Sequence, residues 1–282
     1  MLGRMSETLA DLIRRRFGIP TETGRAWPAT GTLAQLLSHR VQRTFLDKPI
    51  DPETLQLLLA AAFSAPSKSD LQQATVIVVR DKATRAKVEA LVPSMPWMAQ
   101  ASELLVFCGD NSRIRRSAEL RGKPFPNDTL DMFMNAAVDA GLVMQGFITA
   151  AESIGLGCCP ISVLRDEVEQ LSAILGLPAG VFPVAGLCVG YPAREAKFSM
   201  RLPLAATVHI DRYDAAAFDR ELPGYDARRA EAEPPTPGRQ RHSDKYPDVT
   251  LYTWSEDKAR QYCVPQRHSF GDYVRKQGFA LK

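Results

Sequence analysis

Two short polar segments of this 282-residue sequence carry side chains that suit an anionic ligand. The first contains His39, Arg40 and Arg43 and follows an apolar, helix-like stretch. On a continuing helix the two arginines, three residues apart, would share one face. Guanidinium groups match the geometry of phosphate oxygens, so this segment is a candidate anion clamp. The same residues also suit a solvated basic helix end that interacts with the helix dipole, and the spacing alone leaves both interpretations open.

The second polar segment lies between an apolar helical stretch and an apolar strand-like stretch. Ser67, Lys68, Ser69 and Asp70 offer hydroxyls, an ammonium group and backbone N–H groups for a phosphate or the edge of a heterocycle. Proline, serine and aspartate are also ordinary turn residues. A binding loop and a plain turn therefore both remain open here.

A glycine-bearing segment and a later arginine add two further signals. Gly155 and Gly157 superficially resemble a dinucleotide-binding fingerprint, but Pro160 stands at the third glycine position. The glycines also follow a helix instead of a strand, so the fingerprint is rejected. Gly155 is predicted to end the helix, and the residues after it to enter a strand. Arg201 is either a surface charge or a phosphate ligand.

Charge and composition exclude several function classes. The net charge is +3, and acidic residues are interleaved with the basic ones, so no nucleic-acid partner is expected. The four histidines are scattered without metal-ligand spacing, and no metal is expected. Hydrolase and kinase motifs are absent. No apolar run reaches the roughly 18 residues of a membrane span, so we expect a soluble protein without a membrane partner.

The five cysteines favour a reducing compartment. Their number is odd and no CxxC pair occurs, which is typical of reduced thiols in a cytoplasmic protein. The vicinal pair Cys158–Cys159 has apolar neighbours, which favours packing over a redox role.

Helices and single strands alternate, which predicts an α+β fold. Asp51 and Pro52 mark the start of a helix that must stop near Pro66. Between Asp128 and Ser153, a long helix is apolar on nearly every side and must be buried on every side. The simplest partner is the same helix of a second subunit, although a central helix within one monomer is the alternative. Strand-like runs are predicted at 75–79, 104–108 and 184–189.

The pattern along the chain divides it into three parts. Residues 1–33 form an N-terminal leader, residues 34–213 a periodic core, and residues 214–282 a C-terminal extension that begins with a polar, proline-bearing segment.

Five segments occur in an order that resembles the FMN-dependent nitroreductase family over about residues 34–213. They are HRVQRTF, APSKSDLQQ, AAESIGLGCCPI, LCVGYPA and RLPL. The tail, with YTWS from Tyr252 and DYVRKQGF from Asp272, is similar to the oxygen-insensitive NADPH nitroreductase and flavin reductase branch. The resemblance implies an α+β fold with a central mixed sheet surrounded by helices. It also implies an intertwined homodimer with FMN at the interface.

The resemblance also assigns site residues. Loop 67–69 would come from the other subunit, and Arg43 would lie near N1 and O2 of the flavin. Arg239 and Arg241 are the candidates for the 2′-phosphate of NADPH, although a merely basic loop is the alternative. The residues implied to bind FMN are His39, Arg40, Val41, Arg43, Ser67, Lys68, Ser69, Asp70, Pro160, Ile161, Ser162, Val163 and Arg201.

The sequence departs from the family's common pattern in four places, one of which spans two residues. Val41 stands where Ser is frequent, and Asp70 where Asn is frequent. Ser162–Val163 replaces a common Gly-Gly, which would narrow the pocket. Ser199 stands where the branch often has Lys, so Arg201 lacks that neighbour.

The implied activity is a ping-pong NAD(P)H oxidoreductase, in which hydride passes to FMN N5 and a second substrate is then reduced by two electrons. No catalytic side-chain base is needed, and Arg43 would stabilise the anionic reduced flavin. The acceptor, a nitroaromatic, a quinone or another compound, is not specified by the sequence. The alternatives are a flavin reductase that supplies a partner monooxygenase, a flavin-binding protein without turnover, and a helical dimer without flavin.

Overall fold

The computed structural model describes residues 7–234, 236 and 238–280. Within these residues the chain forms ten helices and four strands. The helices are α1 Leu9–Phe17, α2 Gly31–Ser38, α3 Pro52–Phe63, α4 Lys82–Ala90, α5 Ser112–Leu120, α6 Leu130–Ser153, α7 Val168–Leu175, α8 Ala217–Ala232, α9 Trp254–Tyr262 and α10 Phe270–Lys276. The strands are β1 Ala74–Val78, β2 Glu103–Asp110, β3 Gly157–Ile161 and β4 Val181–Gly190.

The chain divides into two compact units. The helical unit comprises the described residues up to His39 together with Phe198–Gln266, and it holds α1, α2, α8 and α9. The sheet unit comprises Arg40–Lys197 and the described residues from Arg267 onward, and it holds the four strands and the remaining helices. The division into a leader, a core and a C-terminal extension stays a prediction.

The sheet has the strand order β1-β2-β4-β3, and each neighbouring pair is antiparallel. The predicted α+β class is confirmed, and the three predicted strand runs lie within or beside β1, β2 and β4. The expected mixed character needs correction. Among the described residues, the parallel contact at the sheet is the single bridge between Val41 and Cys158, because the chain after α2 touches β3 there and then turns away.

Helices α3 and α6 cover one face of the sheet. As predicted, Asp51 caps α3, since its carboxylate accepts a hydrogen bond from the Thr54 N–H at 3.0 Å, and Pro52 occupies the first turn. The two helices approach closely at Gly146, where an added Cβ would lie 3.3 Å from the carbonyl oxygen of Ala62. This contact places α6 against the main core.

Helix α6 has one buried side and one exposed apolar side in the single chain. Its 24 residues match the predicted long helix, and Gly155, with φ 83°, follows its end as expected. The exposed residues recur every fourth position and form what we call the α6 stripe. The α6 stripe consists of Leu130, Met134, Val138 and Leu142, which are 47%, 57%, 52% and 39% exposed. No helix in the described part of the chain combines the length and apolar character needed to cross a membrane.

Candidate functional site

The segment after α2 is extended and lies along β3. The Gln42 N–H donates to the Cys158 carbonyl at 2.9 Å, and Val41 bridges the same residue. The expectation that Arg40 and Arg43 share one face of a continuing helix is therefore wrong. The helix stops at Ser38 because the following residues hydrogen-bond to β3 instead of continuing the helical ladder.

Arg40 and Arg43 have separate environments as a result. Arg40 forms an ion pair with Glu195 and donates to the Ala196 carbonyl at 3.1 Å, and its side chain is 25% exposed. Arg43 is exposed, and its guanidinium interacts with the Cys159 thiol on β3. The Arg43 guanidinium thus interacts with β3, whereas the Arg40 guanidinium is paired with an acidic residue.

Gln42 is a residue that sequence reasoning missed. It is 3% exposed, and its side-chain amide donates to the Thr44 hydroxyl at 2.9 Å and to the Arg194 carbonyl at 3.3 Å. An added Cβ at Gly157 would lie 2.6 Å from Gln42 Cγ, so the glycine is needed for this close approach. A glycine inside a strand pattern was the only sequence signal of this contact.

The end of β3 exposes the residues that were expected beside the flavin ring. Pro160 is exposed between the buried residues Cys159 and Ile161. Ser162 is exposed as well, and Val163 is partly buried at the start of a short 3-10 helix. Arg43 interacts with Cys159 on this strand, so a cation, an exposed proline and a hydroxyl lie on or near β3. We call Arg43, Pro160, Ser162 and Val163 the β3 cluster.

The vicinal cysteines are protonated thiols at neutral pH. Burial raises the pKa of Cys159 to about 11, and the charge and hydrogen bond of Arg43 only partly oppose this effect. Burial also raises the pKa of Cys158 well above its ordinary value. The thiolate is the reactive form of cysteine, so both side chains favour packing, as the apolar neighbours indicated.

A buried carboxylate holds the second polar segment, residues 67–73. Asp139, on the inward face of α6, is 2% exposed. It accepts hydrogen bonds from the Ser67 hydroxyl at 2.6 Å, the Lys68 N–H at 3.1 Å and the Gln73 N–H at 3.0 Å. No role was assigned to Asp139 from the sequence. It is one of three acidic residues of the long apolar helix, with Asp131 and Glu152, and the sequence does not show which of them is buried against a loop.

The loop that Asp139 holds is strained. Ser69, Asp70 and Gln72 have φ values of 51°, 56° and 52°. This left-handed conformation costs on the order of 1 kcal/mol for each non-glycine residue. The side chains of Lys68, Ser69 and Asp70 are exposed. The anchored loop therefore presents an ammonium group, a hydroxyl and a carboxylate to the surroundings.

His39 and Arg201 belong to the helical unit, where the buried Arg16 holds the backbone near both. The Arg16 guanidinium donates to the carbonyls of His39 at 2.6 Å and Ser199 at 2.7 Å. The Arg201 N–H donates in turn to the Arg16 carbonyl at 2.8 Å. The Arg201 side chain is exposed. Arg16 is thus a second positioning residue that the sequence motifs did not indicate.

The two candidate NADPH-binding arginines also lie in the helical unit. Arg241 forms an ion pair with Asp257 at 2.8 Å, and its N–H donates to the Tyr252 hydroxyl at 3.1 Å. Arg239 is exposed and has no ion-pair partner among residues 7–234, 236 and 238–280. Of the two guanidiniums, that of Arg239 is the one available to an incoming phosphate.

The sheet unit thus holds two groups of predicted site residues. Arg43 interacts with Cys159 on β3, the strand that carries Pro160, whereas the contacts of Ser67 and Lys68 run to Asp139 on α6. The donor chemistry fits FMN. The exposed guanidinium suits the electron-rich N1–O2 edge, and the exposed proline and serine leave room for a planar ring. The loop's ammonium and hydroxyl groups suit further polar contacts.

Comparison with known proteins places the chain in a family. The model of the nitroreductase family matches residues 36–191, and the model of that family's C-terminal domain matches residues 199–282. An FMN reductase [NAD(P)H] from Bacillus subtilis is 32% identical, covering 89% of this chain and 98% of the relative. An oxygen-insensitive NADPH nitroreductase from Salmonella typhimurium is also 32% identical, covering 89% of this chain and 99% of the relative.

Solved structures agree with these sequence matches. NfrA2 from B. megaterium has a TM-score of 0.80 at 31% identity, covering 89% of this chain and 98% of its own. The NADPH:FMN oxidoreductase from Vibrio harveyi, complexed with NAD+, has a TM-score of 0.77 at 27% identity. It covers 89% of this chain and 99% of its own. From both family models and these relatives, the chain belongs to the nitroreductase family.

Proposed function

We propose that this chain is an FMN-dependent NAD(P)H oxidoreductase of the nitroreductase type. The observation that carries the proposal is the β3 cluster: the exposed Arg43 guanidinium interacts with Cys159 on β3, and the exposed Pro160 and Ser162 follow Cys159 along the chain. The names of the relatives, which include two FMN reductases and an oxygen-insensitive NADPH nitroreductase, support the same activity.

When bound, FMN supplies the hydride chemistry that connects NAD(P)H to an electron acceptor. The protein supplies position and charge. Arg43 would place a positive charge where negative charge develops on the flavin, and the hydrogen bond of the preceding residue, Gln42, to β3 sets where its side chain begins. The raised pKa values of Cys158 and Cys159 remove them as nucleophiles. No side-chain base is assigned.

Reductant choice is proposed to depend on Arg239 more than on Arg241. Arg239 offers an exposed guanidinium without an ion-pair partner among the described residues, whereas Arg241 must first leave Asp257. A guanidinium suits the 2′-phosphate of NADPH, which NADH lacks. We therefore propose NADPH as the preferred reductant.

The protein is proposed to act as a homodimer in the cytoplasm. The α6 stripe is a continuous exposed apolar row on a central helix, and a second copy of α6 would cover it. The free thiols among the described residues suit a reducing compartment. Changing Val138 to Lys should give a monomer in light-scattering chromatography, whereas Leu120→Lys, at an exposed apolar site outside the stripe, should leave the dimer intact. A Val138→Lys dimer would contradict this interface.

The activity is tested by recording the visible spectrum and then adding NADPH or NADH without oxygen. Flavin bands that bleach support the oxidoreductase, with faster bleaching expected for NADPH. A yellow protein that neither nucleotide bleaches would favour a flavin-binding protein without turnover. A colourless protein that does not take up added FMN would overturn the proposal.

A flavin reductase is the second candidate, because two of the relatives are named FMN reductases. Such an enzyme delivers reduced flavin to a partner monooxygenase instead of reducing an acceptor on the protein. Gel filtration after turnover separates the two functions. An oxidoreductase that acts on nitroaromatics or quinones keeps its FMN, whereas a flavin supplier loses reduced flavin to the small-molecule fraction.

A further inference from the structure

Asp139 is a buried charge without an opposite charge beside it. No Lys, Arg or His forms an ion pair with it in the described part of the chain, and its hydrogen bonds come from one hydroxyl and two backbone N–H groups. A buried carboxylate in this state depends on its neutral donors for stabilisation. Each donor belongs to residues 67–73, so the charge and the loop stabilise each other.

The donors enclose the strained part of the loop. Ser67 and Gln73 both bond to Asp139, and the Ser67 hydroxyl also accepts from the Gln72 N–H at 2.7 Å. Between these points lie Ser69 and Asp70 in the left-handed conformation. Non-glycine residues disfavour that conformation, so the loop keeps it only while its ends are held.

We propose that Asp139 is a positioning residue for flavin binding, a role that rests on the proposed function. Its carboxylate holds loop 67–73 in the one conformation that presents Lys68, Ser69 and Asp70 to the flavin. The adjacent residue, Val138, belongs to the exposed α6 stripe, about 100° around the helix axis from Asp139. One turn of α6 therefore positions both the flavin loop and the proposed subunit interface.

The test compares Asp139→Asn with Asp131→Asn. Both substitutions replace one carboxylate oxygen on α6 with an amide nitrogen. In the part of the chain that the structure describes, the Asp131 carboxylate accepts from the Asn135 side chain at 2.9 Å and has no hydrogen bond to the loop. The new amide donor at position 139 would face the loop's own N–H donors. Two properties are measured, the FMN dissociation constant by fluorescence and the rate of tryptic cleavage after Lys68 in flavin-free protein.

For Asp139→Asn we expect FMN affinity to fall about tenfold or more and cleavage after Lys68 to accelerate by a similar factor. The circular dichroism spectrum should be unchanged, and Asp131→Asn should match the parent protein in all three measurements. Parent-like cleavage and affinity in Asp139→Asn would overturn the proposal. Faster cleavage with unchanged FMN affinity would also overturn it, because the loop would then be held for a purpose other than flavin binding.

Two further measurements keep the test decisive. If the parent protein does not bind FMN, the proposed function fails, whereas the cleavage rates still show whether Asp139 holds the loop. If Asp139→Asn does not fold, Ser67→Ala removes one of the three bonds and leaves the carboxylate in place. A severalfold faster cleavage after Lys68 and a severalfold weaker FMN affinity are then expected, and parent-like values for both would contradict the proposal.

Discussion

Two loops are each held by one buried charge, but the charges have opposite signs. We call residues 67–73, which are proposed to face FMN, the flavin-side loop, and residues 239–249, which carry the proposed NADPH-binding arginines, the nucleotide-side loop. Asp139 accepts hydrogen bonds from N–H and hydroxyl groups of residues 67–73. Arg260, which is 3% exposed, donates to the carbonyls of Arg241 at 3.1 Å and Pro247 at 2.8 Å. Asp139 therefore binds hydrogen-bond donors of the flavin-side loop, whereas Arg260 binds carbonyl acceptors of the nucleotide-side loop. We call these two residues the anchors of their loops.

The two anchors also differ in how their charge is balanced. Arg260 forms an ion pair at 2.6 Å with Glu256 on the same helix, so its counter-charge does not come from the loop. Among the described residues, the hydrogen-bond donors to Asp139 all come from its loop, so opening that loop would leave a buried carboxylate without these partners. The flavin-side loop should therefore be rigid, whereas the nucleotide-side loop can open at low cost. This difference suits a cofactor that stays and a reductant that comes and goes.

The largest expected difference is in stability. Asp139→Ala leaves three loop donors without their acceptor and should lower the free energy of unfolding by on the order of 3 kcal/mol. Arg260→Met should cost about 1 kcal/mol, because the carbonyls it leaves belong to exposed residues that water can reach. Urea denaturation followed by circular dichroism measures both values, and equal losses would break the comparison.

The next largest expected effect is a difference between the two loops in the rate of amide hydrogen exchange, measured in the unmodified protein. The Lys68 and Gln73 N–H groups bond to Asp139, whereas the Arg241 and Val249 N–H groups bond to Tyr252 and Gln240. After correction for intrinsic rates, we expect at least about tenfold slower exchange for the first pair. Hydrogen-exchange mass spectrometry or NMR provides the rates. Similar protection in both loops would argue against a rigid flavin side.

A smaller effect is expected from the nucleotide-side arginines. Arg239→Ala should raise the KM for NADPH about fivefold to tenfold and leave the KM for NADH nearly unchanged, because one charge-assisted contact to the 2′-phosphate is lost. Arg241→Ala should have the weaker effect, since that guanidinium is already paired with Asp257. Steady-state kinetics with both nucleotides measures this, and the reverse order would reassign the phosphate contact.

The smallest effect concerns pH. Burial alone would raise the pKa of Asp257, but hydrogen bonds from Lys258, Tyr252 and Arg241 outweigh it and hold the pKa below its usual value. The stabilisation that comes from these hydrogen bonds is complete above the pKa of about 3.9 that Asp257 has in the unfolded chain. It is lost as the pH falls through the lower pKa of Asp257 in the folded protein. The Arg241 amide should thus keep its protection from pH 5 to 8 and lose it only below about pH 4. Loss near pH 6 would contradict the assignment.

Local signals in the sequence predicted the regular elements well. Asp51 and Pro52 define the start of α3 through a cap and a preset backbone angle, and both effects act within one helical turn. The apolar run of α6 required burial, and that requirement predicted a partner surface. The residue types of the β3 cluster were also identified, because the family's segments occur in order along the chain.

Contacts between distant residues were not predictable in the same way. The extended conformation of Arg40 and Arg43 depends on the bond between Gln42 and Cys158, and neither glycine nor proline marks the end of α2. The anchoring roles of Asp139 and Arg260 depend on which backbone groups the fold brings to them. A sequence pattern shows that a charged residue lies in an apolar helix, but it does not show which backbone groups that residue binds.

The burial of the cysteines has a practical consequence for spectroscopy. Of the five thiols, Cys108, Cys158, Cys159 and Cys188 are buried, and burial raises the pKa of each. Cys263 is exposed at the end of α9. A maleimide dye or spin label should therefore attach at this single position without mutagenesis. Because α9 also carries Arg260, such a label would report on the nucleotide-side loop in the native protein.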